Sequence, residues 1–328
     1  MSITVARESD SVVIRSQPGD LRRSDRRAGA SPAPVMKWPF ISVIVPTYNR
    51  PRQLSNCLSA IAEVDYPKDR FEVIVVDDGG DYDLHKVLAP FSREMTVIGV
   101  HQANSGPGLA RNAGAERASG ELLAFTDDDC LPDVGWLKNF AVRFNTNPNR
   151  AIGGRTVNAL RFNPYATTSQ VLMDVVYEHY NRDPQKALFL ATCNLAVPAR
   201  IFRAMGGFDK AFRKSASEDR DLCDRWLQLG HAMEFAPECL IYHAHDLALK
   251  SLWRQHFHYG RGAFRFYRAR LRRGLGRVRP EPVLHVKFLC YPFHHARPPR
   301  ALALAVLVAL TQVASAFGYF RERIVEGA

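Results

Sequence analysis

FISVIVPTYNRPRQL, residues 40–54, decides how the rest of the chain is read. Phe40 to Val45 is an apolar, β-branched run that stops at Pro46, the pattern of a strand buried on both faces. Asn49 then offers an N-cap, Pro51 suits a first helical turn, and Leu54, Leu58 and Ile61 recur at helical spacing. The unit repeats. Phe71 to Val76 (FEVIVV) is a second buried strand ending in Asp77-Asp78-Gly79-Gly80, and Met95 to Val100 is a third. Gly106 to Ala118 is an Ala-rich helix entered through Gly-Pro-Gly, and Glu121 to Phe125 (ELLAF) is a fourth strand running out into Asp127-Asp128-Asp129. Strands and helices alternating on short links predict an α/β fold, a mostly parallel sheet flanked by helices. Ligands of such sheets sit beyond the carboxyl ends of the strands. Here those ends carry Pro46-Thr47-Tyr48-Asn49, Asp77-Asp78 and the three aspartates.

After residue 150 the alternation loosens. Leu188 to Val197 reads as a strand, followed by a short helix from Pro198 that Gly206-Gly207 stops. Ser217 opens a helix to about Leu229 through Glu218-Asp219, and Met233 to Tyr242 is a last strand ending at His243-Ala244-His245.

The 328 residues are 46% hydrophobic and 23% charged, which excludes a collagenous, wholly disordered or polytopic membrane chain. The six cysteines form no CxxC pair, so reduced thiols are expected rather than a zinc site or disulfide framework. The net charge of +11 is local: residues 247–280 carry ten Lys/Arg and no acid, whereas 39–246 carry 22 Lys/Arg against 26 Asp/Glu. This argues against diffuse nucleic-acid binding and for one anionic contact surface. Residues 1–38 read as a disordered basic arm, lacking the apolar core of a secretory signal.

Three adjacent carboxylates at a strand exit need hydration, cations or protons. Their hard oxygens suit Mg²⁺ or Mn²⁺, with alternation placing Asp127 and Asp129 on one side and Asp128 away; the competing reading is an acidic helix cap. Asp78 is a candidate acceptor for a base or ribose, against the plain alternative of an Asp-Gly turn. Tyr48 could stack on a base, and Arg111 could partner phosphate at a helix start. Glu218-Asp219 alone reads as an acidic pair favouring a helix N-terminus.

Six segments in order, SVIVPTYNR (42–50), VIVVDDGG (73–80), NSGPGLARNAG (104–114), FTDDDCLP (125–132), GGFD (206–209) and SEDRDLCDRW (217–226), resemble glycosyltransferase family 2. That family comprises inverting nucleotide-sugar enzymes with a Rossmann-like GT-A fold, and the resemblance covers residues 40–246. It implies that Pro46, Tyr48, Asn49 and Asp78 bind the nucleotide and that Arg111 is a donor-site arginine. Asp127 and Asp129 become the DxD element, with Asp127 and Asp128 binding the nucleotide sugar, Asp129 the metal ligand and Mn²⁺ or Mg²⁺ the cofactor. It also implies that Asp219 is the catalytic base and that His243, or His245 nearby, approaches the metal or diphosphate. Leu222 stands where processive synthases carry Gln or Arg before Arg-Trp, which counts against processive polymerisation.

The implied division is an arm (1–38), a GT-A catalytic domain (39–246) and a membrane-associated helical extension (247–328). Arginines interleaved with aromatics over 250–279 suit an anionic membrane surface. Ala301 to Phe320 carries no charge and is long enough to consider as a membrane-seated or oligomerising helix. The expected partners are a nucleotide-sugar donor, a glycan or lipid-linked acceptor at the cytoplasmic membrane face, and a second copy through the C-terminal helix. The rivals are a non-catalytic scaffold and a sugar-phosphate nucleotidyltransferase, whose Gly-rich basic loop is replaced here by Pro46-Thr47-Tyr48-Asn49.

Overall fold

The computed structural model describes residues 37–212, 216–276 and 281–327; the predicted arm up to residue 36, Arg277 and Arg279 lie outside the described residues. The leading strands follow the sequence pattern. β1 (Ile41–Thr47), β2 (Phe71–Asp77), β3 (Thr96–His101) and β4 (Leu122–Thr126) are separated by α1 (Pro51–Ala62), α2 (Leu84–Leu88) and α3 (Pro107–Arg117). β5 (Cys130–Pro132), α4 (Trp136–Thr146), β6 (Ala151–Asn158), α5 (Pro164–Tyr180), β7 (Asn194–Pro198), α6 (Ala199–Ala204), α7 (Glu218–Gln228) and β8 (Met233–His243) complete the sheet half. The strand order is β3-β2-β1-β4-β7-β6-β8-β5. β3, β2, β1 and β4 run parallel, as do β6 and β8, whereas β7 is antiparallel to β4 and β6, and β5 to β8. β1, β2 and β4 are buried along their whole length, as helices on both faces require. Pro46 costs no ladder bond to β4, because that pairing ends at Ile44–Phe125.

Three local readings change. The N-cap of α1 is Arg50, not Asn49; Asn49 is left-handed (φ 53°) and its Oδ1 accepts the Asp81 amide at 2.7 Å, tying the β1 exit to the β2 exit. The expected strand over 188–197 shrinks to Asn194–Pro198. Side chains take the amides upstream of it: Leu188 and Phe189 donate to Asn181 Oδ1, Leu190 to Cys223 Sγ and Ala191 to Tyr177 Oη. With those donors satisfied, no neighbouring strand is needed. β5 and β6 have no counterpart in the sequence reading, and they hold the far end of the sheet.

Past the sheet come α8 (Leu249–Arg272), α9 (Pro282–His295) and α10 (Pro298–Gly327). α8 and α10 pack backbone to backbone: a Cβ on Gly260 would lie 1.8 Å from Ser315 O, and one on Gly318 would lie 1.9 Å from Phe257 O. The arginines of α8 are largely used inside the protein rather than offered to an anionic surface. Arg261 and Arg265 clasp Glu322, which is 1% exposed, and Arg265 and Arg268 reach Glu326. Arg270 pairs with Asp224 on α7, and Arg273 beyond α8 pairs with Asp221 on the same helix. Their aromatic neighbours Phe264 and Phe266 are buried. Gly260→Val is expected to force α8 and α10 apart and to lower stability by about 1–3 kcal/mol, read as a lower urea midpoint.

Candidate active site

The three aspartates leave β4 into a tight connection, with Cys130 N donating to Asp127 O, and enter β5. Each carboxylate meets a cation. Asp127 Oδ1 accepts Arg111 Nη2 at 2.6 Å. Asp128, buried, accepts Thr47 Oγ1 at 2.8 Å and Arg50 Nη1 at 3.2 Å. Asp129 takes the same Arg50 nitrogen at 3.2 Å and faces His243 Nε2 at 3.0 Å. The alternation expected from a strand exit therefore fails: Asp128 and Asp129 share Arg50 while Asp127 turns to α3, because the chain leaves the extended conformation at the turn between β4 and β5. His243 arrives through the sheet, since β5–β8 pairing sets Cys130 opposite His243 and Ala244 N donates to Asp129 O.

Burial pushes Asp128 up to about 6 against the opposing charge of Arg50. Burial acts the same way on Asp129, but the His243 hydrogen bond and charge win and hold that carboxyl well below the usual range. Desolvation would lower His243, yet the Asp129 bond and charge raise it to about 9. His245 stacks on His243 at 5.1 Å between ring centroids, and burial lowers it.

Asp78 is buried with both oxygens in use. Oδ1 accepts Gln102 Nε2 and the Ser105 amide, and Oδ2 accepts the Gly106 amide at 2.8 Å. It thereby fixes the entry to α3, where Gly106 takes φ 94°, a conformation a Cβ would resist. In the first turn of α3, Gly108 faces Phe208 and Glu218. Arg111 follows one turn on, 3% exposed, joining Asp127 on one side to Glu218 Oε1 at 3.3 Å on the other. Burial opposes its charge, but the two carboxylates raise its pKa further. Glu218 Oε2 also accepts the Ala216 amide, closing a loop in which Ala216 (φ 147°) and Ser217 (φ 73°) both hold backbone that L-residues avoid. Such strain persists only where surrounding contacts enforce it. Asp219 follows directly; its Oδ1 accepts the Arg220 amide at 2.7 Å, and burial together with the neighbouring Glu218 charge raises it to about 7.

Of the sequence-predicted residues, Asp128, Asp129 and His243 gather around Arg50, and Arg111 joins Asp127 to Glu218 in the loop that carries Asp219. Tyr48 stands beside it, half-exposed, and Pro46 is buried in β1. Arg50, Thr47 and Glu218 carry contacts that the sequence reading assigned to none of them. For Arg50 and Thr47 the signal was present, since each adjoins the predicted nucleotide loop. Arg225-Trp226 are structural: Arg225 bonds Asp221 and the Met205 and Gly207 carbonyls, and Trp226 is buried with Nε1 on Ala232 O.

Asp129 Oδ1 and His243 Nε2 fit a small divalent ion. A carboxylate oxygen and an imidazole nitrogen are both ligand types such ions take, and the hydrogen bond at 3.0 Å already brings the two atoms together. Cys130 Sγ lies within 4.8 Å of both donors. Burial pushes its thiol well above the ordinary range, so it stays protonated and packs.

The family model for glycosyl transferase family 2 matches residues 42–214, more than half of the chain. The chain belongs to that family. Glycosyltransferase AglE of Haloferax volcanii is 39% identical over 102 residues, 30% of this chain and 34% of its own. Probable glycosyltransferase YdaM of Bacillus subtilis is 24% identical over 245 residues, 70% of this chain and 58% of its own. The chain thus spans a third to three-fifths of the length of these curated relatives. A mannosyltransferase of Pyrobaculum calidifontis, solved with GDP-Man and Mn²⁺, superposes with a TM-score of 0.59 at 18% identity, covering 91% of this chain and 89% of its own. S. aureus TarS 1–349 gives 0.52 at 19% identity, covering 88% and 92%. These likenesses establish the GT-A fold predicted from the family motifs. Arg111→Ala would strip Glu218, which is 7% exposed, of its buried counter-charge. The expected loss is about 3–5 kcal/mol, checked by urea unfolding.

Proposed function

We propose that this family 2 member transfers a sugar, with inversion, from a nucleotide-sugar donor to a hydroxyl of a lipid-linked or cell-envelope glycan at the cytoplasmic membrane face. Residues 39–246 would be the transferase and 247–328 its membrane-associated support. One observation carries the reading: Arg111 ties Asp127 of the DxD element to Glu218, and so holds the Asp219 loop beside the donor residues. The Mn²⁺ complexes of the mannosyltransferase with GDP-Man and of GalNAc-T7 with UDP and GalNAc support a nucleotide sugar and a divalent ion.

Asp129 and His243 would hold Mn²⁺ or Mg²⁺, which when bound neutralises charge on the departing diphosphate. Tyr48 offers a ring face to the nucleobase, while Asn49 and Asp78 shape the loops around it. Arg50 supplies a further positive charge at the diphosphate end. Inversion requires the acceptor oxygen to attack the anomeric carbon from the face opposite the diphosphate. The new carbon–oxygen bond forms as the bond to the β-phosphate oxygen breaks, and Asp219 takes the acceptor proton. A carboxyl raised to about 7 suits that task near neutrality.

Asp219→Asn should abolish transfer, with a loss on the order of 10²–10⁴, while donor affinity by calorimetry stays within error. Asp129→Ala should weaken Mn²⁺-dependent donor binding as well. Because the base works deprotonated, kcat/KM should rise with pH through about 7 and level off above it. A flat profile from about pH 5 to about pH 8 removes Asp219 as the base.

A further inference from the structure

We propose that α9 and α10 form a monotopic docking face: one flank of α10 stays packed on the protein while the other lies in the headgroup layer of an anionic bilayer, without crossing it. The inference rests on the proposed membrane association and specifies its geometry. By length and composition α10 could span a membrane, but its contacts divide it lengthwise. Ala301, Leu304, Val308, Thr311, Ala314 and Glu322 are buried. Leu302, Val306, Val313, Phe317, Phe320 and Ile324 are 47–73% exposed along the opposite flank. Crossing would strip Glu322 from Arg261 and Arg265, lift Gly318 from the α8 backbone, and carry two glutamates towards hydrocarbon. α9 enlarges the bare surface with Val283, Val286, Leu289 and Phe293, each at least 40% exposed. Large apolar side chains exposed in this number along helix flanks mark an interaction surface.

Its charge names the occupant. Residues 282–321 contain Lys287, Arg297, Arg300 and Arg321 and no acid, and Arg323 follows. Arg297 and Arg300 are exposed at one end of the stripe, and Arg321 and Arg323 at the other. Basic residues bordering an apolar flank match anionic lipid. At the start of α10, Arg161 and Arg300 line a cavity of about 150 Å³ with Phe162, Leu304 and Leu307, and Phe162 is wholly exposed. Two guanidinium groups beside apolar walls suit a lipid phosphate. The arginines of α8, engaged by Glu322, Glu326 and Asp224, are not needed for this contact.

The test uses the full chain with preformed vesicles, either phosphatidylcholine alone or mixed with phosphatidylglycerol, and reads flotation. Flotation with the anionic vesicles is expected. Val306→Glu with Phe317→Glu should cut the bound fraction about tenfold, and Arg161→Ala with Arg300→Ala should cut it several-fold, with the circular dichroism spectrum unchanged. A tag after Ala328 should stay cleavable by protease added outside. A protected tag would mean a span and overturn the proposal, as would undiminished binding by the double glutamate variant. So would a dimer in lipid-free solution that the same variant splits while vesicle binding persists, which would assign the face to a second copy. Mn²⁺-dependent hydrolysis of a nucleotide sugar, read on the same samples, separates the two readings. Lost flotation with hydrolysis retained sinks the docking face alone, and flotation without hydrolysis sinks the proposed activity alone.

Discussion

Three consecutive carboxylates at the end of a buried strand can remain ionised only where positive charge reaches each of them. Much of the sheet half serves that requirement. The β1 exit supplies Thr47 and Arg50, α3 supplies Arg111, and the antiparallel β5–β8 pair brings His243 round from the far end of the sheet. The cations also differ in kind. Arg111 is buried and fixed between two carboxylates, whereas the Arg50 side chain is 47% exposed and bridges Asp128 and Asp129 from the solvent side. One is a strut, and the other is the more easily displaced.

The fold's leading half was legible because its strands are covered on both faces, so apolar runs and strand ends coincide in the sequence. Legibility fell where side chains replaced the backbone ladder. Residues 188–191 have the composition of a strand but are capped by Asn181, Tyr177 and Cys223, contacts between segments that no local pattern reports. β5 was hidden for another reason: three residues are too few to show a period, although this strand is what delivers His243 to Asp129. At the site, residue types were readable and orientations were not. The aspartate run signalled a cation site, but which carboxylate turned to which partner depended on Arg50 and Arg111, whose contacts lie 78 and 16 residues away in sequence.

The arginine-rich helix shows how composition misleads about address. Ten basic residues without an acid in 247–280 suggest an outward surface, yet Arg261, Arg265, Arg268, Arg270 and Arg273 pair with glutamates and aspartates on other elements. The consequence is mechanical. α8 lies against α10 through glycine contacts and against the Asp219 loop through Gly262, where a Cβ would meet Ala216 O at 2.4 Å. It also supports α7 through Arg270–Asp224 and through Phe266, over which Arg220 stacks at 5.0 Å. One rigid helix thus spans from the apolar flank to the strained turn that presents Asp219.

Motif residues therefore sort by what already holds them. Asp78, Arg111, Glu218, Arg225 and Trp226 have their polar atoms committed largely to the protein itself, and their work is to set the position of loops. Tyr48 is half-exposed, Asp129 and His243 are joined by one hydrogen bond to each other, and Asp219 keeps a carboxyl whose proton is poised near neutrality. A family motif does not distinguish these two groups, because recurring residue types mark both architecture and chemistry. Burial and committed hydrogen bonds do distinguish them, and they leave a short set of side chains with anything to offer a substrate.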